Sequence, residues 1–391
     1  MRRYFTIFSL SLFGLLPAVP KAFSQTDTTS GPKLELKGYI KSLNGLQFAN
    51  HLDSAVSTAL IHNRLNFSLQ VTTNFAAHLE LRNRIFYGED VKLVPGFGKM
   101  IAADPGYLDL SELWLDSRSV VIHSVADRAY LKFADDSWDI RLGRQRINWG
   151  ISTIWNPNDL FNAYNFLDFD YEERPGSDGL RLQYSIATNT VIEAAVSPSR
   201  KSNDAIAAAM LRWNIAGYDM QAIAGLYRTD LVAGFGWAGN LGEAGLKGEI
   251  SYFHPRKKQF DTTDAFEATL TLDHMIGEYY LSVSGLYNSA ATDRVQDAAG
   301  LFARSLSPKN LMPFRYTFYG SVSHSFSPIF SVAIAAIYSP KFNSFIFFPI
   351  LSYSLAQDVD ADLVAESYFN DASGIYKAAA NAIYFRLRYS F

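Results

Sequence analysis

The chain has no cysteine among its 391 residues. That excludes disulfides, thiolate metal sites and a lipid anchor on cysteine. Its formal net charge is −3, too little positive charge for a nucleic-acid surface. Beyond the first twenty residues there is no apolar run of the ~18 residues that a membrane-spanning helix needs. Catalytic patterns are also missing. No H-E-x-x-H, G-x-S-x-G, phosphate loop or dinucleotide fingerprint occurs. The seven histidines (His51, His62, His78, His123, His254, His274 and His324) are scattered. His324 lies between Ser323 and Ser325, but adjacent residues of a strand point to opposite faces. With no base beside a nucleophile, the chain reads as a non-enzyme with no cofactor and no metal.

What the sequence does have is alternation, clearest at its end. Ile383, Phe385, Leu387, Tyr389 and Phe391 interleave with Tyr384, Arg386, Arg388 and Ser390. Only the two-residue period of a β-strand separates the apolar set from the one carrying the arginines. A last strand that is apolar on one face and ends on Phe391 has the form of the closing strand of an outer-membrane β-barrel, where the terminal aromatic serves as an assembly signal.

The other end of the sequence agrees. Arg2 and Arg3 precede an apolar run, and Ala22-Phe23-Ser24 fits a small-x-small cleavage site. This predicts a signal peptide over 1–24. A Ser/Thr-rich lead follows over 25–32, and one barrel domain covers 33–391.

Alternation continues along the chain. Leu34, Leu36, Gly38 and Ile40 interleave with Glu35, Lys37, Tyr39 and Lys41. Leu65 to Val71, Phe75 to Arg84, Arg128 to Phe133, Asp139 to Gly143 and Leu180 to Ile186 do the same. Further strands are predicted near 189–196, 205–215, 217–228, 230–239, 242–254, 263–275, 278–288, 314–326, 329–338, 344–356, 358–369 and 380–391. The total is about 18 (16–18) antiparallel, up-and-down strands. Short joints, such as Thr72–Asn74, Asp135–Asp136 and Gln357–Asp358, alternate with longer stretches at 44–57, 87–126, 146–176, 197–204, 254–262, 289–313 and 370–379; two connections expected on the outer side, near Thr229 and near Pro340, are short and are allowed as exceptions. Bacterial outer-membrane barrels have short periplasmic turns and long external loops. The alternation therefore places both termini in the periplasm.

A charge facing lipid near the bilayer midplane costs about 2–4 kcal/mol, so the polar half of each strand must face the bore. This assigns Arg64, Arg82, Arg84, Arg128, Lys132, Arg141, Arg181, Arg212, Arg386 and Arg388 to a basic wall. Glu249, Glu267, Asp273, Asp360, Asp362 and Glu366 form an acidic set, expected largely opposite it.

The densest local signal lies within 143–179. Gly143-Arg144-Gln145 precedes Trp149-Gly150, and Asn156-Pro157-Asn158-Asp159 follows. This run resembles the G-R-Q-x-x-x-W-G and N-P-x-D pattern of a family of porin-like bacterial outer-membrane barrels. The match covers about 128–198. The resemblance implies a barrel in the outer membrane and no particular substrate. Strict alternation would turn Arg144 toward lipid unless Gly143 supports a bulge or marks the strand end. Long loops in compact domains are usually functional. Arg144, Arg146, Trp149, Trp155, Asp159, Phe161, Tyr164 and Arg174 are therefore candidates for a constriction. Two roles are open to the aromatics: to line a solute path, or to pack the loop against the wall.

The expected function is a porin-like channel for passive diffusion of small polar solutes, narrowed by the 143–179 loop. Its partners are outer-membrane lipid, the solute and, through the C-terminal strand, the barrel-assembly machinery. A homo-oligomer is compatible with the sequence but not encoded in any visible contact surface. The alternative is a plugged structural or secretion-associated barrel without conduction.

Overall fold

The computed structural model describes residues 31–49, 51–163, 170, 176–201, 203–256, 263–292, 306–371 and 374–391. The signal peptide expected at 1–24 lies outside these residues, as do Tyr164 and Arg174.

Among the described residues there are 19 strands in one sheet. In chain order they are β1 (Lys33–Phe48), β2 (Val56–Gln70), β3 (Phe75–Gly88), β4 (Ser111–Asp116), β5 (Val120–Ala134), β6 (Trp138–Gln145), β7 (Ser177–Ala187), β8 (Thr190–Ser197), β9 (Ile206–Ile215) and β10 (Tyr218–Tyr227). There follow β11 (Asp230–Leu241), β12 (Ala244–Pro255), β13 (Ala265–Ile276), β14 (Tyr279–Asn288), β15 (Tyr316–Ser327), β16 (Phe330–Ser339), β17 (Ser344–Ala356), β18 (Val359–Asn370) and β19 (Lys377–Ser390). All pairings are antiparallel. β1 pairs with both β2 and β19, so the sheet closes on itself. β3 pairs directly with β5, which leaves β4 as a short flap on the edge of β5. The wall is a closed barrel of 18 strands.

Buried charged side chains face the interior, and the exterior is apolar. Lys41, Arg64, Arg128, Glu193, Glu249 and Glu267 are buried, whereas Leu34, Leu142, Ile192, Val283 and Leu363 are exposed. This inverts a soluble protein. It follows from one side chain in two facing lipid and the next facing the bore. Aromatic pairs mark both rims. Trp138–Tyr184 (4.7 Å between ring centroids) and Phe326–Phe330 (5.7 Å) lie at the short-turn end. Tyr287–Tyr316 (5.4 Å) lies at the long-loop end. β1 begins, and β19 ends, at the short-turn end.

Closure is completed by Phe391. Its N–H donates to Gly38 O, and Gly38 N–H donates to Phe391 O, both at 2.9 Å. A Cβ on Gly38 would come within 2.8 Å of the Phe391 ring, so the glycine makes room for the terminal aromatic.

The predicted strands are present, but several extend further than the alternation showed. β1 continues past Lys41 to Phe48, and β5 begins at Val120. The 87–126 stretch, expected as a loop, contains α1 (Glu89–Leu93), α2 (Phe97–Ala102) and β4. Here Val91, Phe97, Ile101 and Leu113 pack on Phe86, Val121 and Leu60, inward residues of the wall. Covered on their inner side by protein, the upper ends of these strands carry apolar residues on both faces, and the two-residue period fades.

Candidate functional site: the bore and its inward loop

The connection from β6 to β7 turns into the bore and is bonded to the inner wall of β8–β12. Glu249, on β12 and fully buried, accepts hydrogen bonds from the backbone N–H groups of Ser152 (2.6 Å) and Asn158 (2.9 Å), and also from that of Ile151. Trp149 Nε1 donates to Glu193 Oε1 on β8 at 2.6 Å. Gln221 Nε2 donates to Trp149 O at 2.9 Å. Ser251 Oγ donates to Pro157 O at 3.0 Å, and Asn158 Nδ2 donates to Phe235 O at 3.1 Å. These bonds satisfy backbone groups that an irregular segment would otherwise leave unpaired inside the barrel.

Apolar packing completes the anchorage. Ile147, Trp149, Leu160 and Phe161 sit on Met210, Ile223, Val232 and Phe253 of the wall. Trp155 packs on Leu311, Met312 and Phe314, from the connection before β15, and on Ile337, Ile346 and Tyr368. Trp149, Trp155 and Phe161 therefore pack the loop against the wall and do not line a path. Asp159 is buried with them.

Most of the predicted basic residues gather on the opposite arc, formed by β19, β1–β3 and β5–β7. Arg64 reaches Asp127 at 2.6 Å and Glu80 at 2.5 Å. Arg82 reaches the other oxygen of Asp127 at 3.0 Å. Arg84 lies 3.0 Å from His123 Nδ1. Arg141 and Lys132 share Asp139 (2.7 and 3.4 Å). Arg181 holds Glu193 at 2.6 Å, tying the arginine wall to the carboxylate that carries Trp149. Arg386 pairs with Asp362 at 2.9 Å, and Arg388 lies over the Tyr39 ring, 4.4 Å from its centroid. Arg128, Arg141 and Arg146, with Tyr130, Asn66 and Glu80, line a chamber of about 300 Å³. A second chamber of about 350 Å³ at the short-turn end is lined by Arg386, Arg388, Asp360 and Asp362. Arg212, on β9, is exposed and its position in the register faces inward beside Gln221.

The acidic set does not form a facing wall. Asp360 and Asp362 stand directly across the β18–β19 ladder from Arg388 and Arg386, within the basic arc. Glu249 and Glu267 are buried on the loop-filled side. Asp273 pairs with Lys247 at 3.2 Å. Glu366 holds an inward position on β18, in register with Ala382. β18 pairs with β19 as its hairpin partner, closure sets β19 beside β1, and the loop claims the inner face of β12, so the charges are neutralised locally instead of being opposed across the bore.

Arg144 lies at the upper end of the basic arc, where it lines a cavity of about 100 Å³ with Arg82, Arg84, His123, Asp104 and Asp127. Its register partner is Asp178. The segment before β4 covers it. Arg144 bonds Asp178 and Asp104, both at 2.7 Å, and donates to Leu108 O at 2.7 Å. These partners keep the buried guanidinium fully paired; Gly143, expected to support a bulge, has φ +122° without a register slip. The bulge lies in β5, where the register shifts between Glu80 and Leu81. It turns the extra residue, Asp127, toward Arg64 and Arg82. Asp104 lies outside the spanning strands. Burial pushes its carboxyl up, but hydrogen bonds from Arg144 and from the N–H groups of Leu110 and Gly106 outweigh this and hold it below the usual carboxylate range.

Several working residues were not anticipated: Lys41 as a site residue, Glu80, Asp127, Asp139, Asp178 and Glu193. Glu193 was findable, since alternation on β8 turns it inward beside Arg181. Asp127 was not, because a bulge breaks the count that assigns a face.

No family model matches the chain, and no curated protein matches its sequence. Solved structures match its fold closely in extent. The outer membrane protein OprD from Pseudomonas aeruginosa has a TM-score of 0.61 at 8% identity, over 94% of this chain and 95% of that one. Acinetobacter baumannii OccAB1 has a TM-score of 0.59 at 10% identity, over 94% and 98%. Pseudomonas aeruginosa OpdK, determined with vanillate, has 0.56 at 10% identity, over 91% and 98%. The chain thus has the closed 18-strand fold of these outer-membrane proteins.

Proposed function

We propose that this protein is an outer-membrane channel for passive diffusion of small polar solutes, and that it favours anions, carboxylates in particular. The observation that carries this reading is the one-sided bore. Lys41, Arg64, Arg82, Arg84, Arg128, Arg141, Arg146, Arg386 and Arg388 follow one arc of the wall, and two chambers of about 350 and 300 Å³ touch that arc. Glu80, Asp127, Asp139, Asp170, Asp360 and Asp362 offset most of this charge, and the excess of positive charge is concentrated at Arg128, Arg141 and Arg146. A low-dielectric wall with one sign of charge raises the local concentration of the opposite ion. The loop narrows the remaining space, so a solute passes close to the arginines. Guanidinium groups suit planar carboxylates, which they bind with two parallel hydrogen bonds. That one protein of the same fold was determined with vanillate, a carboxylate, agrees with this chemistry.

In this reading both termini lie in the periplasm, and the assembly machinery recognises the strand ending in Phe391. The second reading is a plugged scaffold barrel, favoured by the close packing of Trp149, Trp155 and Phe314 inside the bore. Planar-bilayer recording separates the two. The channel reading predicts discrete conductance steps and, in a potassium chloride gradient, a reversal potential on the anion side. A silent or cation-selective protein contradicts it.

A further inference from the structure

Asp170 reaches the basic arc from the β6–β7 connection. Lys41 Nζ lies 2.8 Å from its Oδ1 and 3.2 Å from its backbone carbonyl oxygen. Arg386 Nη1 lies 3.6 Å from the same Oδ1. The Lys41 side chain has no solvent-accessible surface, and that of Asp170 is 14% exposed. Arg386 also lines the 350 Å³ chamber. A solute in that chamber therefore meets Arg386, which also holds Asp362 at 2.9 Å, and Lys41 lies behind it against Asp170.

We infer that Lys41 and Arg386 form a carboxylate-binding subsite and that Asp170 is its resident, built-in competitor. A passing carboxylate exchanges with the Asp170 carboxylate, oxygen for oxygen, and leaves when Asp170 returns. No charge is left uncompensated on Lys41 at either stage, which matters because an unpaired buried ammonium is strongly disfavoured. Tethering gives Asp170 an effective concentration in the millimolar range. Solutes below that range do not saturate the subsite, so the channel holds its ligand weakly and releases it quickly. Conduction needs such weak, exchangeable binding. The inference rests on the channel reading above and adds to it the residue that sets residence time.

The test uses benzoate as the probe and the full-length protein in planar bilayers and in detergent. Asp170→Asn keeps the side-chain shape and removes the charge. The expected result is current block by benzoate at concentrations about tenfold lower than for the unaltered protein, with a higher anion-to-cation permeability ratio. Adding Lys41→Gln to Asp170→Asn should abolish the gain, which a general loosening of the loop would not do. Equilibrium binding of benzoate to the detergent-solubilised protein should show the same order: D170N tightest, D170N/K41Q weakest. Equal benzoate affinity in the unaltered protein and D170N, or a gain that survives K41Q, overturns the inference and leaves the channel reading standing. Absence of conductance in every variant overturns the channel reading. The binding measurement still judges the subsite in that case.

Discussion

The two sides of the bore use the same strand geometry for opposite ends. On β8–β13, inward positions carry Met210, Ile223, Val232 and Phe253, and the loop seals them with Trp149 and Phe161. Glu249 there serves the loop backbone and is closed to water. On β19, β1–β3 and β5–β6, inward positions carry arginine and lysine beside chambers of a few hundred Å³. One side holds the loop still, and the other presents charge to the water that remains. An 18-strand barrel is too wide to fill with side chains from the wall alone. Loops fill part of it, and the position of their anchors decides which part stays open.

If this division is right, changes on the packed side should cost stability and changes on the open side should alter selectivity. The largest effect expected is from Trp149→Ala. It removes a 2% exposed indole and the donor to Glu193. A loss of about 3–5 kcal/mol is expected, read from urea unfolding in detergent micelles. A loss near zero would mean that the loop is not held by this packing.

Arg146→Ala should do the reverse. Arg146 is exposed and lines the 300 Å³ chamber, so its removal should leave the unfolding midpoint in place and move the reversal potential toward cations. Arg212→Ala is the matched control. It removes the same charge from β9, away from the chambers, and should move the reversal potential less. Equal shifts would show that the cations act only through net charge.

The smallest effect concerns the outcrop formed by α1, α2 and β4. The Asp104 carboxyl is depressed in the fold. Its contribution is therefore present above the carboxyl's unfolded-state value and is lost as pH falls through the depressed folded value. Hydrogen exchange at Gly106 and Leu110, whose N–H groups bond Asp104, should quicken below the ordinary carboxylate range and not between neutrality and pH 5. Quickening near neutrality would implicate another group.

The wall was largely legible in the sequence, because lipid and water impose a two-residue period that each strand must obey. Ile383 to Phe391 show it in nine residues, and the alternation of short and long joints told the two ends of the sheet apart. The loop was legible as a site but not as an arrangement. Trp149 and Trp155 carry no sign of which surface they meet, since the residues that receive them come from strands 40 to 220 positions further on. The run Leu311-Met312-Pro313-Phe314 was a missed cue, because an apolar run inside a long external connection must bury itself somewhere. Placing the acids opposite the arginines required the angular position of each strand around the barrel. Counting strands does not reveal which inner faces a loop will cover.

The absence of cysteine allows the most direct measurement, since a single introduced thiol is the only one in the protein. Asn66 lines the chamber shared by Arg128, Arg141 and Arg146, while Ser251 is 1% exposed beneath the loop and bonded to Pro157. In membranes, Asn66→Cys should react readily with a thiosulfonate reagent, about tenfold faster with an anionic than with a cationic one, and Ser251→Cys should resist both. A thiol at Ser251 that labels as fast as one at Asn66, or an Asn66→Cys that prefers the cationic reagent, would contradict a bore divided into a packed side and a wet, cationic one.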